Sequence, residues 1–263
     1  MVDIMTEIPE NHPRYLSLKE RHTIIEGMHN KIVAEAGLIA HGRGEAFDYI
    51  LGEKTPDYAL KQEEAAVATL LLATHPVISV NGNVAVLCPN EIVQLAEKTK
   101  AKIEVNLFYR TIEREKNIET TLKEAGAKEI LGVNLGERAV TIPEITHQRR
   151  IVDPEGIYKA DVVFVPLEDG DRTMALRKMG KTVICVDLNP MSRTAVWSSI
   201  TIVNHIRRAS QEMIKIAEKL SKYSREQLKT IIEKYDNNYM LQQSVKFMSN
   251  RLLELSKEKL KED

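Results

Sequence analysis

Two short runs of the chain, Val162-Val163-Phe164-Val165 and Val183-Ile184-Cys185-Val186, are continuously apolar instead of alternating between apolar and polar residues. Strands that read this way are buried on both faces, which is typical of a parallel sheet covered by helices on each side. Helical patterns surround both runs, and such alternation of strand and helix indicates an α/β protein. The two runs therefore predict a mostly parallel sheet in a three-layer fold.

The same reasoning extends the sheet along the chain, because further apolar runs predict strands and the segments between them predict helices. The predicted strands cover residues 77–80, 84–88, 103–107, 129–133, 161–165, 182–186 and 200–203, and the predicted helices cover 89–98, 111–125, 172–179 and 191–197. Asn81-Gly82-Asn83 favours a hairpin turn between the first two strands. The predicted fold class is α/β, with a doubly wound, mostly parallel, Rossmann-like sheet.

Both ends of the chain are helical in pattern. Ser17 to Glu20 reads as a capping box that opens a helix to about Ala36, and a second helix is predicted over residues 58–74. After Ile206 apolar residues recur at three- and four-residue steps, with a break at 236–238 and a charged tail from Ser256. We expect an N-terminal helical segment (1–75), an α/β nucleotide-binding core (76–205) and a C-terminal helical extension (206–263), together forming one domain.

Composition narrows the function classes. The 263 residues include 37 Lys and Arg against 38 Asp and Glu, which argues against a protein that coats nucleic acid. No run reaches the roughly 18 apolar residues of a membrane span, and the N-terminus lacks the pattern of a signal peptide. Cys88 and Cys185 lie in or beside apolar runs and are predicted to be buried free thiols. We expect a cytoplasmic protein that binds neither nucleic acid nor membrane.

Ligands of open α/β sheets bind beyond the carboxyl ends of the strands, and the segment after residues 182–186 is rich in polar groups. Asn189 is predicted to cap the next helix and Pro190 to occupy its first turn, where free N–H groups attract anions. Arg193 and Thr194 add a cation and a hydroxyl, and Asp187 stands where a ribose hydroxyl or a metal-bound water could be held. An ordinary capped helix with exposed polar residues explains the segment equally well.

An acidic turn follows the strand predicted at 161–165. Glu168, Asp169 and Asp171 surround Gly170, so they could hold magnesium through water, with Asp171 capping the following helix. A solvated acidic turn is the alternative. The seven histidines show no zinc spacing.

A glycine-rich segment precedes the first predicted strand. Gly42 and Gly44 flank Arg43, so the backbone could approach a phosphate while the guanidinium binds it. The segment is neither a dinucleotide-binding glycine fingerprint nor a P-loop. A tight turn with an exposed arginine is the alternative. Asn106 lies inside an apolar strand, where its amide needs partners that are either structural or ligand groups.

Taken together and in this order, these segments resemble the archaeal phosphopantothenate synthetase family, also called 4-phosphopantoate–β-alanine ligase. The resemblance runs from about His12 to Ser210. The segments that carry it are His12-Pro13-Arg14-Tyr15 and residues 37–49, 76–83, 104–110, 166–173 and 187–194.

The resemblance implies a homodimeric, magnesium- and ATP-dependent enzyme of coenzyme A biosynthesis. It would condense (R)-4-phosphopantoate with β-alanine through an acyl-adenylate, giving 4′-phosphopantothenate, AMP and diphosphate. The residues that it places at ATP are Arg21, Arg43, Asp187, Leu188, Asn189, Arg193, Thr194, His205 and Ile206. The chain has Asn204-His205-Ile206 where the family usually has Asp-Asn-Ile. The resemblance therefore does not support a contact through the His205 side chain and leaves a backbone contact open.

Three residues are candidates for binding the phosphate of 4-phosphopantoate, namely Arg14, Lys54 and Arg110, and no catalytic base is identified. Two other functions stay open at this point. A nucleotide-sensing regulatory protein could keep the same ATP contacts without turnover. A dinucleotide-dependent oxidoreductase fits the fold class, but the chain lacks the glycine fingerprint of that class.

Overall fold

Five parallel strands form the central sheet of the computed structural model, which describes residues 9–12, 14–167 and 169–257. These strands are β1 (Pro76–Val80), β2 (Lys102–Val105), β5 (Val162–Pro166), β6 (Thr182–Val186) and β7 (Ile200–Ile202), in the spatial order β2-β1-β5-β6-β7. A small antiparallel sheet pairs β3 (Val140–Thr141) with β4 (Ile151–Val152). Pro13, Glu168 and residues 258–263 of the predicted tail lie outside the described residues.

Helices follow and cover the strands. They are α1 (Tyr15–His29), α2 (Glu35–Leu51), α3 (Asp57–Leu72), α4 (Gly82–Leu87), α5 (Pro89–Thr99), α6 (Ile112–Glu124), α7 (Gly170–Lys178), α8 (Arg193–Trp197), α9 (Ile206–Leu220), α10 (Arg225–Glu233) and α11 (Asn237–Leu255). The break predicted at 236–238 is confirmed, since Asp236 caps α11 by accepting a hydrogen bond from the Tyr239 N–H. Across the part of the chain that the structure describes, no helix has the length and apolarity that a membrane span needs.

Both faces of the sheet are buried, as the continuous apolar runs predict. Ile78, Phe164 and Ile184 pack into a large cluster with α3, α5 and α9. Val163 and Cys185, which alternate with them, pack on the opposite face with α7. The α/β, mostly parallel fold is therefore confirmed, and both cysteines are buried and free.

The three predicted segments of the chain share one hydrophobic cluster. Ile24 of α1, Phe164 of β5 and Met213 of α9 all belong to it, so the N-terminal and C-terminal helices pack on the α/β layer. The boundaries at residues 75 and 205 stay predictions, although they fall next to the first strand and the start of α9.

The predicted strand at 84–88 is wrong, because these residues form the helix α4 and its C-terminal end. Asn81 does not form a hairpin turn but caps α4, and its side chain accepts a hydrogen bond from the Val84 N–H. Strand β1 already pairs with β2 and β5 on its two sides, so no edge is left for a hairpin partner. Short apolar runs do not distinguish a buried strand from a buried helix by period alone.

The predicted strand at 129–133 is reduced to a single bridge between Leu131 and Glu104. Gly132 has a φ of +80°, which ends the extended conformation after one residue. A single bridging residue, and not a sixth strand, therefore pairs with β2 at this edge of the sheet.

The helix predicted from Ser17 to Ala36 is two helices, and Ser17 does not cap the first. Ser17 lies inside α1, where its hydroxyl donates to the Arg14 carbonyl. Helix α1 ends at His29 because Lys31 has a φ of +54° and the N–H groups of Ile32 and Val33 turn back to the Gly27 carbonyl. The new helix α2 then contains the whole segment 37–49, so Gly42 and Gly44 belong to a helix and not to a loop.

Two glycines give a matched test of this packing. A Cβ on Gly82 would stand 2.2 Å from the Ile32 carbonyl oxygen, whereas a Cβ on Gly42 would meet nothing within 4 Å. We expect Gly82→Ala to lower the free energy of unfolding by about 2 kcal/mol through overpacking. Gly42→Ala should raise it by about 0.5–1 kcal/mol because alanine favours helix. Urea denaturation measures both, and equal effects would contradict the close approach at Gly82.

Candidate functional site

A cavity of about 390 Å³ opens at the carboxyl edge of the sheet, which is within the roughly 300–1,000 Å³ of small-molecule sites. The strand order reverses between β1 and β5, and the cavity lies over this switch point, where open α/β sheets bind ligands. The residues that line it include Glu20, Arg43, Glu45, Asp48, Asn81, Gly82, Leu107, Phe108, Arg114, Arg149, Leu167, Asp169, Leu188, His205 and Ile206.

Asn81 and Leu167 join the two strands at the floor of the cavity. The Asn81 amide donates to the carbonyls of Pro166 and Leu167, at 3.2 and 3.1 Å. Leu167 has a φ of +57°, a conformation that costs a non-glycine residue about 1–3 kcal/mol and is found most often at functional sites. The ends of β1 and β5 are therefore fixed to each other directly beneath the cavity.

Glu45 organises the wall that α1 and α2 contribute. Its carboxylate accepts two hydrogen bonds from Arg21, at 2.8 and 3.0 Å, and one from the Tyr49 hydroxyl at 2.7 Å. Burial would raise the pKa of Glu45, but the bonds from Tyr49 and Arg21 outweigh it and lower that pKa. Arg14 also contacts this pair, lying 3.4 Å from Glu45 and donating to Tyr49.

Arg43 is the cation of α2 that remains available to a ligand. It lines the cavity, and within the described residues its guanidinium forms neither a hydrogen bond nor an ion pair. Its charge acts on Asp187, whose pKa is raised by burial while Ser192, Asn189 and Arg43 oppose the rise. Arg43 and Asp187 are therefore near neighbours in the folded protein.

The segment after β6 is ordered around Asp187 in a way that differs from the prediction. Asp187 accepts hydrogen bonds from the Asn189 N–H at 2.9 Å and from the Ser192 hydroxyl. Ser192, not Asn189, caps the next helix by accepting from the Ala195 N–H, so Pro190 precedes the helix instead of lying in its first turn. Leu188 lines the cavity.

The start of α9 is tied to α2 and α3 by buried polar groups. Asn204 donates to Glu63 at 2.9 Å, and its side-chain oxygen accepts from the His205 N–H and from Arg208. Arg208 also forms a bidentate ion pair with Asp48 of α2, with one N–O distance of 3.1 Å. These bonds fix the position of His205 and Ile206 at the cavity.

His205 stands as the N-cap of α9, with Nε2 3.4 Å from a carboxylate oxygen of Glu20. Burial lowers the pKa of His205 to about 4, so the imidazole is neutral at pH 7. Its backbone N–H and carbonyl are bound within the fold, to Asn204 and to the Ala209 N–H. A contact of His205 with ATP stays a prediction.

Glu63 gives a test of this network by pH. Burial raises the pKa of Glu63 from 4.5 to about 8, so the folded chain holds a proton there that the unfolded chain has lost. The free energy of unfolding should therefore fall as pH rises from about 4.5 to 8. Glu63→Gln should make this fall smaller but not abolish it, because burial also raises the pKa of Glu104, to about 7. Urea denaturation at several pH values measures the slope. The neighbouring Glu64→Gln should keep the wild-type slope, and a Glu63→Gln slope equal to that of the wild type would contradict the protonated Glu63.

Arg149, which is not among the predicted site residues, also lines the cavity. The Arg149 side chain is 9% exposed and its Nη1 lies 3.3 Å from Asp169. The amide nitrogen of Asn106 donates to the carbonyls of Arg149 and Ile151, so its partners are structural, whereas the buried side-chain oxygen of Asn106 accepts no hydrogen bond among the described residues. His147 stacks on Phe108 with ring centroids 4.4 Å apart.

The acidic turn after β5 serves the fold in two ways. Asp169, not Asp171, caps α7 by accepting from the Arg172 N–H. Asp171 is 2.6 Å from Arg193, an ion pair on the surface. Among the described residues no group of three or more His, Cys, Asp or Glu side chains could hold a metal ion.

The structure brings together part of the predicted site. Arg43, Leu188, His205 and Ile206 line the cavity, and Arg21 reaches its wall through Glu45. The predicted residues that are not among the lining residues are Arg14, Arg21, Lys54, Arg110, Asp187, Asn189, Arg193 and Thr194. Arg110 pairs with Glu115 at 3.2 Å and donates to the carbonyls of Val105 and Gly132, so it stabilises the edge of the sheet.

Comparison with known proteins gives one consistent result. A family model described as phosphopantothenate/pantothenate synthetase matches residues 58–251. The 4-phosphopantoate–beta-alanine ligase of Thermococcus kodakarensis is 53% identical over 255 residues, which is 97% of this chain and 97% of that protein. The ligase of the same name from Methanosarcina mazei is 49% identical over 254 residues, which is 97% of this chain and 99% of that protein.

Proposed function

The chain belongs to the phosphopantothenate/pantothenate synthetase family, and from this we infer that it is a ligase that joins 4-phosphopantoate to β-alanine. The observation that carries the inference is identity of 43–53% with ligases of that name over 94–97% of this chain. The cavity at the switch point supports it, since that position suits small-molecule substrates.

The nucleotide is proposed to bind at the β6–β7 end of the cavity. Arg43, with no partner among the described residues, is proposed to contact the phosphates of ATP, and Arg21 to assist from the Glu45 wall. Leu188, His205 and Ile206 line the same end, while Asp187, Asn189, Arg193 and Thr194 follow β6 beside it. These residues are the ATP contacts that the family resemblance implies.

The reaction is proposed to run in two steps. A carboxylate oxygen of 4-phosphopantoate attacks the α-phosphorus of ATP; the new O–P bond forms as the bond to diphosphate breaks. The amine of β-alanine then attacks the acyl carbon, AMP leaves, and the nitrogen loses a proton to water. Arg43 would stabilise the charge on the phosphates, and the shared cavity would hold the reactants in contact. We assign no side chain as the base.

Magnesium is proposed to enter with ATP, where it would neutralise charge on the phosphates. Mg²⁺ at such sites is usually held by substrate phosphates and water with one or two carboxylates. The described residues fit this manner of binding better than a dedicated metal site, because they form no group of three metal-binding side chains.

The test is release of AMP and diphosphate by purified protein. With ATP and magnesium, we expect release only when 4-phosphopantoate and β-alanine are both present. Release of AMP with unphosphorylated pantoate would support the same reaction with pantoate, instead of 4-phosphopantoate, as the substrate. Folded protein that binds ATP and releases no AMP with either acid would favour the nucleotide-sensing alternative.

Three further properties are proposed on the resemblance. The enzyme is proposed to act in coenzyme A biosynthesis, to work in the cytoplasm and to form a homodimer. The buried free thiols Cys88 and Cys185 agree with a reducing compartment. Exposed apolar side chains on α11, among them Leu252 and Leu253, are available for contact with a second subunit.

A further inference from the structure

The cavity has a second cationic end, on the β2–β1 side of the sheet. Arg149 precedes β4 and Arg114 belongs to α6, and both line the cavity. The proposed ATP contacts 187–189 and 205–206 instead follow β6 and β7, on the far side of β5 in the strand order. Of these contacts, Leu188, His205 and Ile206 line the cavity, so the same cavity is lined by residues that follow strands on both sides of β5.

Arg114 is held in place by backbone carbonyls. Its Nε and Nη2 donate to the Ile32 carbonyl, at 3.3 and 2.8 Å, and its Nη1 donates to the Tyr109 carbonyl. Within the described ranges no carboxylate lies close enough to form an ion pair with Arg114. These carbonyls hold the guanidinium in place. Because they are neutral, the positive charge of Arg114 is retained in the cavity wall.

Arg149 adds a second, more deeply buried cation. Burial, and then the positive charge of Arg172, lower the pKa of Arg149 to about 9, and Arg114 contributes in the same direction. The guanidinium thus stays charged at pH 7, and its Nη1 lies 3.3 Å from Asp169. A charged guanidinium in a cavity wall is well suited to bind a phosphate group.

The surroundings of the two arginines are apolar and aromatic. Leu107 is buried and lines the cavity beside Phe108, whose ring is 4.4 Å from that of His147. A ligand that combines an anionic group with an apolar carbon chain would therefore suit this part of the cavity. Of the three proposed substrates, 4-phosphopantoate has this character, with a phosphate at one end and a dimethyl-substituted carbon next to it.

We infer that Arg114 and Arg149 bind the phosphate of 4-phosphopantoate, with Leu107 and Phe108 against its dimethyl carbon. This assignment rests on the proposed ligase function. It directs the carboxylate of the substrate toward the ATP end of the cavity. It also replaces Arg14, Lys54 and Arg110 as the phosphate-binding residues, since none of the three lines the cavity.

The experiment compares Arg149→Gln and Arg114→Gln with Arg150→Gln, an exposed neighbour that serves as the matched control. Losing a charged hydrogen-bond donor should raise the KM for 4-phosphopantoate about 30-fold. The KM for ATP should stay unchanged. The preference for 4-phosphopantoate over pantoate, as a ratio of kcat/KM, should fall by a similar factor, and Arg149→Lys should restore part of it.

Several outcomes would overturn the assignment. An unchanged KM for 4-phosphopantoate would do so, and so would a KM for ATP that rises as much, because the site would then bind ATP phosphates. Wild-type protein that releases no AMP would instead contradict the ligase function. If a variant fails to fold, the assignment can be tested on wild-type protein by measuring the rate at which phenylglyoxal modifies Arg114. In the absence of ATP, 4-phosphopantoate should slow this modification and pantoate should not. Equal protection by both, or by neither, would sink the assignment.

Discussion

Arg43→Ala should lower the turnover number of AMP release by about 100- to 1000-fold, the range seen when one preorganised donor to a developing charge is removed. Arg43 lines the cavity and is bound to no other described residue, so its charge is available to the phosphates. The fold should not depend on it for the same reason. Steady-state rates at saturating substrates, with a thermal melt for stability, measure both effects.

The matched control is Arg138→Ala, an exposed arginine in a 3-10 turn outside the cavity. It should keep wild-type turnover. A folded Arg43→Ala variant with wild-type turnover would remove Arg43 from the proposed mechanism, and equal losses in both variants would point to a nonspecific effect of charge.

Asp48→Ala should lower the free energy of unfolding by about 3 kcal/mol, because it leaves the charge of Arg208 without its partner in a largely buried place. The side chains of Asp48 and Arg208 are 11% and 25% exposed, so solvent screens the remaining charge only in part. The start of α9 would also lose its link to α2, so the KM for ATP should rise. Urea denaturation and ATP-dependent rates test the two effects separately.

The control here is a double-mutant cycle with Arg208→Met. Removing both partners leaves no unpaired charge, so the double variant should be more stable than the sum of the single losses predicts. Strictly additive losses would show that the ion pair contributes nothing of its own to the free energy of unfolding.

The sheet could be predicted because its strands are buried on both faces. Val162 to Val165 and Val183 to Val186 carry that signal in a few residues each. The helix α4 could not be distinguished from a strand, because what decides it is the cap from Asn81 and the lack of a free edge on β1. The cap itself is local, but the pairing of β1 and the bonds that hold Asn81 to Pro166 and Leu167 depend on residues that are distant along the chain.

The glycine-rich segment of α2 shows the same limit. Glycines near an arginine favour a loop by propensity. In the structure a Cβ on Gly37 would stand 2.3 Å from Asn83 Oδ1, and Asn83 donates to the Gly37 carbonyl at 2.9 Å. At this position, glycine permits close packing of α2 on α4, and the tertiary contact outweighs the local preference.

The sequence anticipated part of the candidate site. Arg43, Leu188, His205 and Ile206 line the cavity. The other ATP contacts that the family resemblance implies do not, namely Arg21, Asp187, Asn189, Arg193 and Thr194. In the sequence, Arg149 and Arg150 look like an exposed basic pair. The burial of Arg149 depends on Asn106, which donates to the Arg149 carbonyl from 43 residues away. No local pattern contains that information.

The ion pair between Asp48 and Arg208 also has a consequence for the newly made chain, since 160 residues separate its partners. At roughly 5–20 residues per second, a ribosome takes about 8–32 s to travel from the first to the second. For that interval α1 and α2 have been synthesised, but Glu20 and Asp48 lack their ion-pair partners at the start of α9. We therefore expect the cavity wall to close last during translation, after the strands that form its floor have emerged.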